Sequence, residues 1–119
     1  MKGMFVGLMA TAWAAGAMAD GNTLVRNCES AIQMAGGKAG GDLIGAGRCQ
    51  GLVEGTLDTV YMMDTVHNAK RAICLPEGVT KLQLIKITVK YINDNPKLLN
   101  QNESSLIMLA ALDAFPCNQ

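Results

Sequence analysis

Aromatic residues and histidine are scarce in this 119-residue chain, which has one tryptophan, two tyrosines, two phenylalanines and one histidine. A hydrolase of the usual kind needs a nucleophile, a base and a group that orients the base. His67 is the sole conventional base. Ser30, Ser104 and Ser105 lie where helix capping or exposure to solvent explains them. The composition therefore predicts a protein that is not an enzyme.

The chain also lacks an excess of charge, with ten Lys and Arg residues against ten Asp and Glu. Loss of Lys2 with the export signal described below leaves nine positive residues (10 − 1) against ten negative ones. Proteins that bind nucleic acid or anionic lipid through charge carry a clear positive excess. We therefore expect no nucleic-acid partner and no electrostatic attachment to a membrane.

Phosphate-binding motifs are missing as well. Residues 36–47 are rich in glycine, but they contain neither the Walker pattern nor a GxGxxG fingerprint that follows a strand. Each glycine lowers helix stability, so we expect a mobile loop over this whole stretch. The sequence predicts no cofactor.

The one long apolar run of the sequence lies at the N-terminus and has the features of a removable export signal. Lys2 supplies a positive start, residues 4–15 are apolar, and residues 17–19 (Ala-Met-Ala) form the small-x-small pattern that precedes cleavage. The competing interpretation is a membrane anchor, which needs about 20 strongly apolar residues, and this run is shorter. We predict a signal peptide over residues 1–19 and a mature domain over residues 20–119.

Cleavage after Ala19 delivers the mature domain to the periplasm, an oxidising compartment. That domain contains all four cysteines of the chain: Cys28, Cys49, Cys74 and Cys117. No closely spaced pair of the C-x-x-C kind is present, which argues against zinc, the competing interpretation. Small exported domains with thin cores are commonly stabilised by disulfides. We predict two disulfides and no metal site.

Two helices are predicted in the first half of the mature chain. Apolar residues recur at helical spacing from Asn22 until Gly36, and again over residues 48–65. Gly51 and Gly55 lie four residues apart on the second helix, which indicates a close crossing with another helix of the same bundle. The neighbouring pair Met62 and Met63 is expected to pack in the core, because methionine fills irregular gaps there.

Two further helices are predicted in the second half. Thr80 and Gln83 form a capping box at the start of the third helix, and Pro96 ends it because the residue before proline resists the helical conformation. A short turn follows Pro96, and Asn102 caps a fourth helix with a core-facing stripe of Leu106, Leu109, Ala110 and Leu112. The predicted fold class is all-α, a bundle of four to five helices stapled by two disulfides.

The cysteine positions favour one disulfide pairing. Cys74 immediately precedes the third helix and Cys117 follows the fourth, so an antiparallel hairpin of these helices brings the two together. Cys28 and Cys49 can meet across the glycine-rich loop. The nested alternative, Cys28 with Cys117 and Cys49 with Cys74, stays open at this point because sequence alone does not fix connectivity.

A set of motifs resembles the Rap/Tai immunity proteins of type VI secretion systems: Cys74-Leu75-Pro76-Glu77-Gly78-Val79-Thr80, Gln83, Tyr91, Pro96, Ala110-Ala111-Leu112, the ending Phe115-Pro116-Cys117 and, before them, Cys49-x-Gly51 with Gly55. The similarity covers nearly the whole mature chain. The resemblance implies a small helical bundle, often dimeric, that binds a peptidoglycan amidase in the periplasm and blocks its active site. No catalytic residues carry over, because the family has none. The long glycine-rich loop departs from the family pattern.

The expected contact surface for such a partner is the protruding stretch from Tyr61 to Arg71, at the end of the second helix and in the connector after it: Tyr61, Met62, Asp64, His67, Lys70 and Arg71. Aromatic and arginine side chains contribute most to binding in many protein interfaces. The competing interpretation is that Tyr61 belongs to the core and Arg71 is merely solvated. The alternative function is that of a small periplasmic chaperone, or of an orphan helical binding protein with a different partner.

Overall fold

The computed structural model describes residues 19–118, so all but the last residue of the predicted signal over residues 1–19 lies outside the described residues. Four helices and one short 3-10 turn follow one another: α1 (Gly21–Ala35), α2 (Leu43–Val66), α3 (Lys81–Asp94), the turn (Pro96–Leu98) and α4 (Glu103–Ala114). Between residues 19 and 118 the β-pairing is limited to two isolated bridges. The predicted all-α bundle is confirmed. Over the same residues, no helix has the length and apolar character needed to cross a bilayer.

Helices α1 and α2 form an antiparallel hairpin. The side chain of Asp20 caps α1 by accepting hydrogen bonds from the backbone N–H groups of Asn22 and Thr23, at 3.1 and 3.2 Å. Cys28 and Cys49 join the two helices through a disulfide in which both residues are fully buried. The predicted pairing of these two cysteines is confirmed.

The predicted start of α2 at Arg48 was wrong, because Leu43 is its first residue. Asp42 caps the helix by accepting from the N–H of Ile44 at 3.1 Å, so the loop is shorter than the glycine content indicated. Gly45 lies inside the helix where α1 approaches closely, and a Cβ added there would lie 2.7 Å from Oδ1 of Asn27. Glycine at position 45 therefore allows α1 and α2 to pack closely. The periodicity of apolar residues gave no sign of this contact.

The start of α3 follows the sequence prediction. The Thr80 hydroxyl accepts from the N–H of Gln83 at 3.2 Å, and the Gln83 side chain accepts from the N–H of Thr80 at 2.8 Å. These reciprocal bonds satisfy two backbone donors that a helix start otherwise leaves unpaired. The predicted capping box is confirmed.

The core lies where the four helices meet, and aliphatic residues dominate it: Leu24, Ala31, Ala46, Val53, Leu57, Ile85, Val89, Ile92, Leu106, Ile107 and Ala111, together with the first disulfide. Met62 and Met63 were predicted to belong to this core and do not, because both are exposed on α2. Leu109 and Leu112, predicted for the core-facing stripe of α4, are also exposed.

The predicted close crossing at Gly51 and Gly55 was wrong. Nothing lies within 4 Å of a Cβ added at either position. Both glycines are exposed on α2 and line an open cleft of about 290 Å³ that Ser104 and Met108 of α4 also border. The pattern therefore describes an outer face of the bundle.

The connector between α2 and α3 is fixed to the C-terminus of the chain. Cys74 and Cys117 form the second predicted disulfide, which excludes both the nested pairing and zinc coordination by these thiols. The N–H of Cys74 donates to the carbonyl of Phe115 at 2.9 Å, and the N–H of Cys117 donates to the carbonyl of Ala72 at 3.0 Å. One covalent and two hydrogen bonds thus hold the end of the connector beside the end of α4.

Candidate functional site

Tyr61 and Arg71 contact each other at the start of the connector. The guanidinium carbon of Arg71 lies 3.8 Å from the centre of the Tyr61 ring, a cation–π contact. Tyr61 is 52% exposed, so the ring supports the arginine and still presents area to solvent. The interpretation of Tyr61 as a core residue was wrong.

The connector reaches this position because α2 ends in a left-handed residue. Asn68 has a φ of 47°, a conformation that asparagine tolerates better than most residues. The N–H of Ala69 donates to the carbonyl of Asp64 at 2.8 Å and closes the end of the helix. The chain then turns back along α2, which brings Arg71 over Tyr61.

An apolar groove of about 530 Å³ lies next to this pair, between α2, the connector and α4. Its size is within the range of small-ligand and peptide-anchor pockets. The groove is lined by Val60, Asp64, Ala72, Ile73, Gln101, Ser105, Met108, Leu109 and Leu112. Asp64, Gln101 and Ser105 bring polar side chains to a mainly apolar wall.

The structure divides the six predicted contact residues into three groups. Tyr61 and Arg71 pair, and Asp64 lines the groove beside them. His67 and Lys70 are exposed where the chain turns after α2. Met62 follows Tyr61 by one residue and therefore points about 100° away round the helix, so it is separated from the others.

The sequence analysis missed the contribution of α4. Met108, Leu109 and Leu112 are each about two-fifths exposed, and all three line the groove. A signal for them existed, because residues 106–112 are all apolar. In a helix that is apolar on every side, the core buries one face, and the apolar side chains on the other faces stay exposed.

The groups with a shifted pKa lie outside this groove. The backbone N–H of Thr23 lowers the pKa of the Asp20 carboxyl by bonding to its charged form. The hydrogen bond and charge of Asp94 raise the pKa of Lys90. Over residues 19–118 there is no group of three or more His, Cys, Asp or Glu side chains placed to hold a metal ion.

Comparison with known proteins gives one family. Neither the curated proteins nor the solved structures contain a match to the chain. The family model for Rap1a immunity proteins matches residues 20–117. This match begins at the residue that caps α1 and ends at the last cysteine, so it takes in every helix and both disulfides. The chain belongs to the Rap1a immunity protein family.

Proposed function

We propose that this protein protects the cell that makes it by binding a peptidoglycan amidase effector of a type VI secretion system in the periplasm and blocking its active site. Membership of an immunity protein family supports a secreted effector as the partner. The resemblance described above narrows that partner to a cell-wall amidase. Immunity of this kind requires only a stable complex, so the protein acts by binding and not by catalysis.

The observation that carries the proposal is the Tyr61–Arg71 contact, because the chain neighbours of these two residues, Val60 and Ala72, line the exposed apolar groove. Tyrosine and arginine are enriched among the residues that dominate interface energies. Both are held by structure before the partner arrives, and such preorganisation reduces the entropic cost of association. The groove offers room for apolar side chains of the effector, and Arg71, next to the lining residue Ala72 in the chain, adds a positive charge.

The Cys74–Cys117 disulfide supports this assignment because it clamps the connector that carries Arg71. Loops without such a link lose conformational freedom when they bind, and that loss weakens the complex. Disulfides persist in oxidising compartments. The proposed site is therefore built for the periplasm, where peptidoglycan amidases act.

The proposed export route also agrees with where the family domain starts. Asp20 is the first matched residue and caps α1, and its backbone pairs with that of Asn102. A signal peptide that ends at Ala19 would release the domain with this cap intact. Protein isolated from the periplasm should have Asp20 as its first residue on N-terminal sequencing, and an intact Met1 would contradict cleavage.

A protection assay tests the function. Each type VI amidase encoded in the same genome is directed to the periplasm with or without this protein, and lysis is scored. We expect one amidase to lyse cells that lack the protein and to leave cells with it intact. The double variant Tyr61→Ala/Arg71→Ala should fail to protect, while Lys86→Ala, an exposed cation on α3, should protect fully.

Two outcomes would contradict the proposal. If the protein protects against none of the amidases tested, an amidase is not its partner. Binding of many acid-unfolded proteins, with no stable amidase complex, would instead support the chaperone alternative.

A further inference from the structure

One buried carboxylate oxygen at the start of α4 has no hydrogen-bond partner in residues 19–118. Glu103 is the first residue of α4, and its side chain is only 7% exposed. Nη2 of Arg48 lies 2.6 Å from its Oε2, whereas the other oxygen, Oε1, is buried and accepts no hydrogen bond within those residues. A buried acceptor of this kind is costly, because it has lost its hydrogen bonds to water. Such atoms are rare in folded proteins and require an explanation.

The start of α1 packs against the same end of α4. The N–H of Gly21 donates to the carbonyl of Leu99 at 2.9 Å, and the backbone of Asp20 pairs with that of Asn102 in an antiparallel bridge. A Cβ added at Gly21 would lie 2.9 Å from Cδ1 of Leu106. Because no side chain fits there, glycine lets the first turn of α1 contact α4 directly.

These contacts bring the backbone of Asp20 to the end of α4 that carries Glu103. Residues paired across an antiparallel bridge have Cα atoms about 4.5–5.5 Å apart, and Glu103 directly follows Asn102. Leu106, which packs on Gly21, lies three residues after Glu103 and therefore on the same side of α4. The backbone nitrogen of Asp20 thus lies beside the buried carboxylate.

Removal of the signal peptide after Ala19 changes the chemistry of this nitrogen. Before cleavage it is an amide with one N–H. Hydrolysis of the Ala19–Asp20 bond adds one water, so that Ala19 leaves with a carboxylate and Asp20 keeps an α-amino group, which is mostly protonated at neutral pH. The protonated group has three N–H donors and a positive charge. This charge appears at the N-termini of α1 and α4, whose partial positive charges disfavour it unless an anion is near.

The carboxylate of Asp20 itself is already occupied. Its Oδ1 accepts from the N–H groups of Asn22 and Thr23, at 3.1 and 3.2 Å, and its Oδ2 accepts from Nδ2 of Asn22 at 3.4 Å. Arg48 holds Oε2 of Glu103 from a half-exposed position, where water screens its charge. Among these groups, Oε1 of Glu103 is the charged acceptor that is left for the new amine.

We propose that the α-amino group released by signal cleavage binds Oε1 of Glu103, so that the mature N-terminus forms an ion pair between α1 and α4. Each oxygen of the Glu103 carboxylate then has a cationic donor, and such charge-assisted bonds are the strong ones. The precursor lacks the pair and is the less stable form. The inference rests on the cleavage site named in the proposed function, but its test needs no effector, so failure of amidase binding leaves it untouched.

Urea denaturation of two oxidised proteins at pH 7 tests the ion pair. One protein begins at Asp20, and the other retains residues 17–19 before it; both are released from a fusion by a protease that leaves no extra residue. We expect the equilibrium constant of unfolding to be about tenfold higher for the extended protein, equivalent to about 1.4 kcal/mol. Glu103→Gln should remove the difference between the two lengths. Glu54→Gln, which changes an exposed carboxylate on α2, should leave it in place.

The reactivity of the α-amine gives a second readout, which does not depend on stability. Only the neutral amine reacts with an acylating reagent, and the ion pair keeps the amine protonated. The folded Asp20 protein should therefore be acylated at its N-terminus at least about fivefold more slowly than the same protein unfolded in urea or the folded Glu103→Gln protein. Equal rates in folded and unfolded protein would overturn the inference. Equal stability of the two lengths, or a difference that persists in Glu103→Gln, would also overturn it.

Discussion

Arg48 on α2 holds the buried carboxylate of Glu103 in the first turn of α4, with Nη2 2.6 Å from Oε2. The Glu103 side chain is only 7% exposed, whereas Arg48 is 51% exposed. The second carboxylate oxygen, Oε1, is buried without a hydrogen-bond partner in residues 19–118. This contact pairs one carboxylate oxygen of Glu103 and ties the fourth helix to the second.

Arg48→Met should lower the free energy of unfolding by about 1–3 kcal/mol, because it leaves a buried carboxylate without its partner. The cost falls below that of a fully buried pair because Arg48 is half in water. Urea denaturation measures the change. The exposed pair Lys90–Asp94 is the matched control, and Lys90→Met should cost less than Arg48→Met because both partners stay in water. Equal losses in the two variants would contradict this account of Glu103.

The two disulfides should differ in their resistance to reduction. Cys28 and Cys49 are fully buried, whereas Cys74 is exposed and accessible to a thiol reagent. Limited treatment of the native protein with dithiothreitol, followed by alkylation and peptide mass spectrometry, should label Cys74 and Cys117 first. Labelling of Cys28 and Cys49 at the same rate would show that the native fold opens before either bond is reduced.

Loss of the exposed disulfide should destabilise the fold and not abolish it. The double variant Cys74→Ser/Cys117→Ser should unfold with a free energy about 2–4 kcal/mol lower, since the open chain regains the freedom of a 43-residue separation. Chemical denaturation checks the value. The variant should also bind its effector more weakly than its fraction of folded protein accounts for, because the disulfide no longer holds the connector in place. Unchanged affinity for the effector would show that the Cys74–Cys117 disulfide does not contribute to the proposed binding site.

The Tyr61–Arg71 contact should contribute a small, measurable coupling energy. A double-mutant cycle with Tyr61→Leu and Arg71→Gln isolates the pair from the other interactions of Arg71. We expect a coupling of about 0.5–1 kcal/mol, the range of exposed cation–π pairs, measured by urea denaturation. A coupling energy of zero would mean that the contact with Tyr61 does not hold the Arg71 side chain in place.

Acid should weaken the cap of α1. The pKa of Asp20 is lowered from its ordinary value of 3.8 in the folded chain, mainly by the N–H of Thr23. A lowered folded-state pKa gives stability that is present above the unfolded value and is lost as pH falls through the folded one. Asp20→Asn should keep a capping oxygen and lose this dependence. The difference in unfolding free energy between wild type and Asp20→Asn should therefore shrink as pH drops below about 4; a difference that grows would contradict the sign.

Local signals were sufficient to predict the start of α3 and to favour the disulfide pairing that the structure has. The capping box of Thr80 and Gln83 needs only four consecutive residues, so no distant part of the fold decides it. The pairing of Cys74 with Cys117 followed from the order of two helices in a hairpin. Both depend on short-range geometry that the sequence records directly.

The exposed surfaces could not be predicted in this way, because they depend on which helix covers which. Tyr61 lies four residues after Leu57 and so shares its face of α2, yet Leu57 is buried and Tyr61 is 52% exposed. On α4, Ile107 and Leu109 are both large aliphatic residues, but the other helices cover only the side that carries Ile107. Ile107 is therefore buried and Leu109 is exposed. The groove arises from this arrangement of whole helices.

Direct measurement of effector binding tests the central claim, that Tyr61 and Arg71 anchor a cell-wall amidase at the α2–α4 groove. Isothermal titration calorimetry of the oxidised protein with the amidase it protects against should give a tight complex. Tyr61→Ala/Arg71→Ala should raise the Kd at least about tenfold, equivalent to 1.4 kcal/mol, while Lys86→Ala leaves it unchanged. An unchanged Kd in the folded double variant, or no binding by the wild type, would contradict the claim.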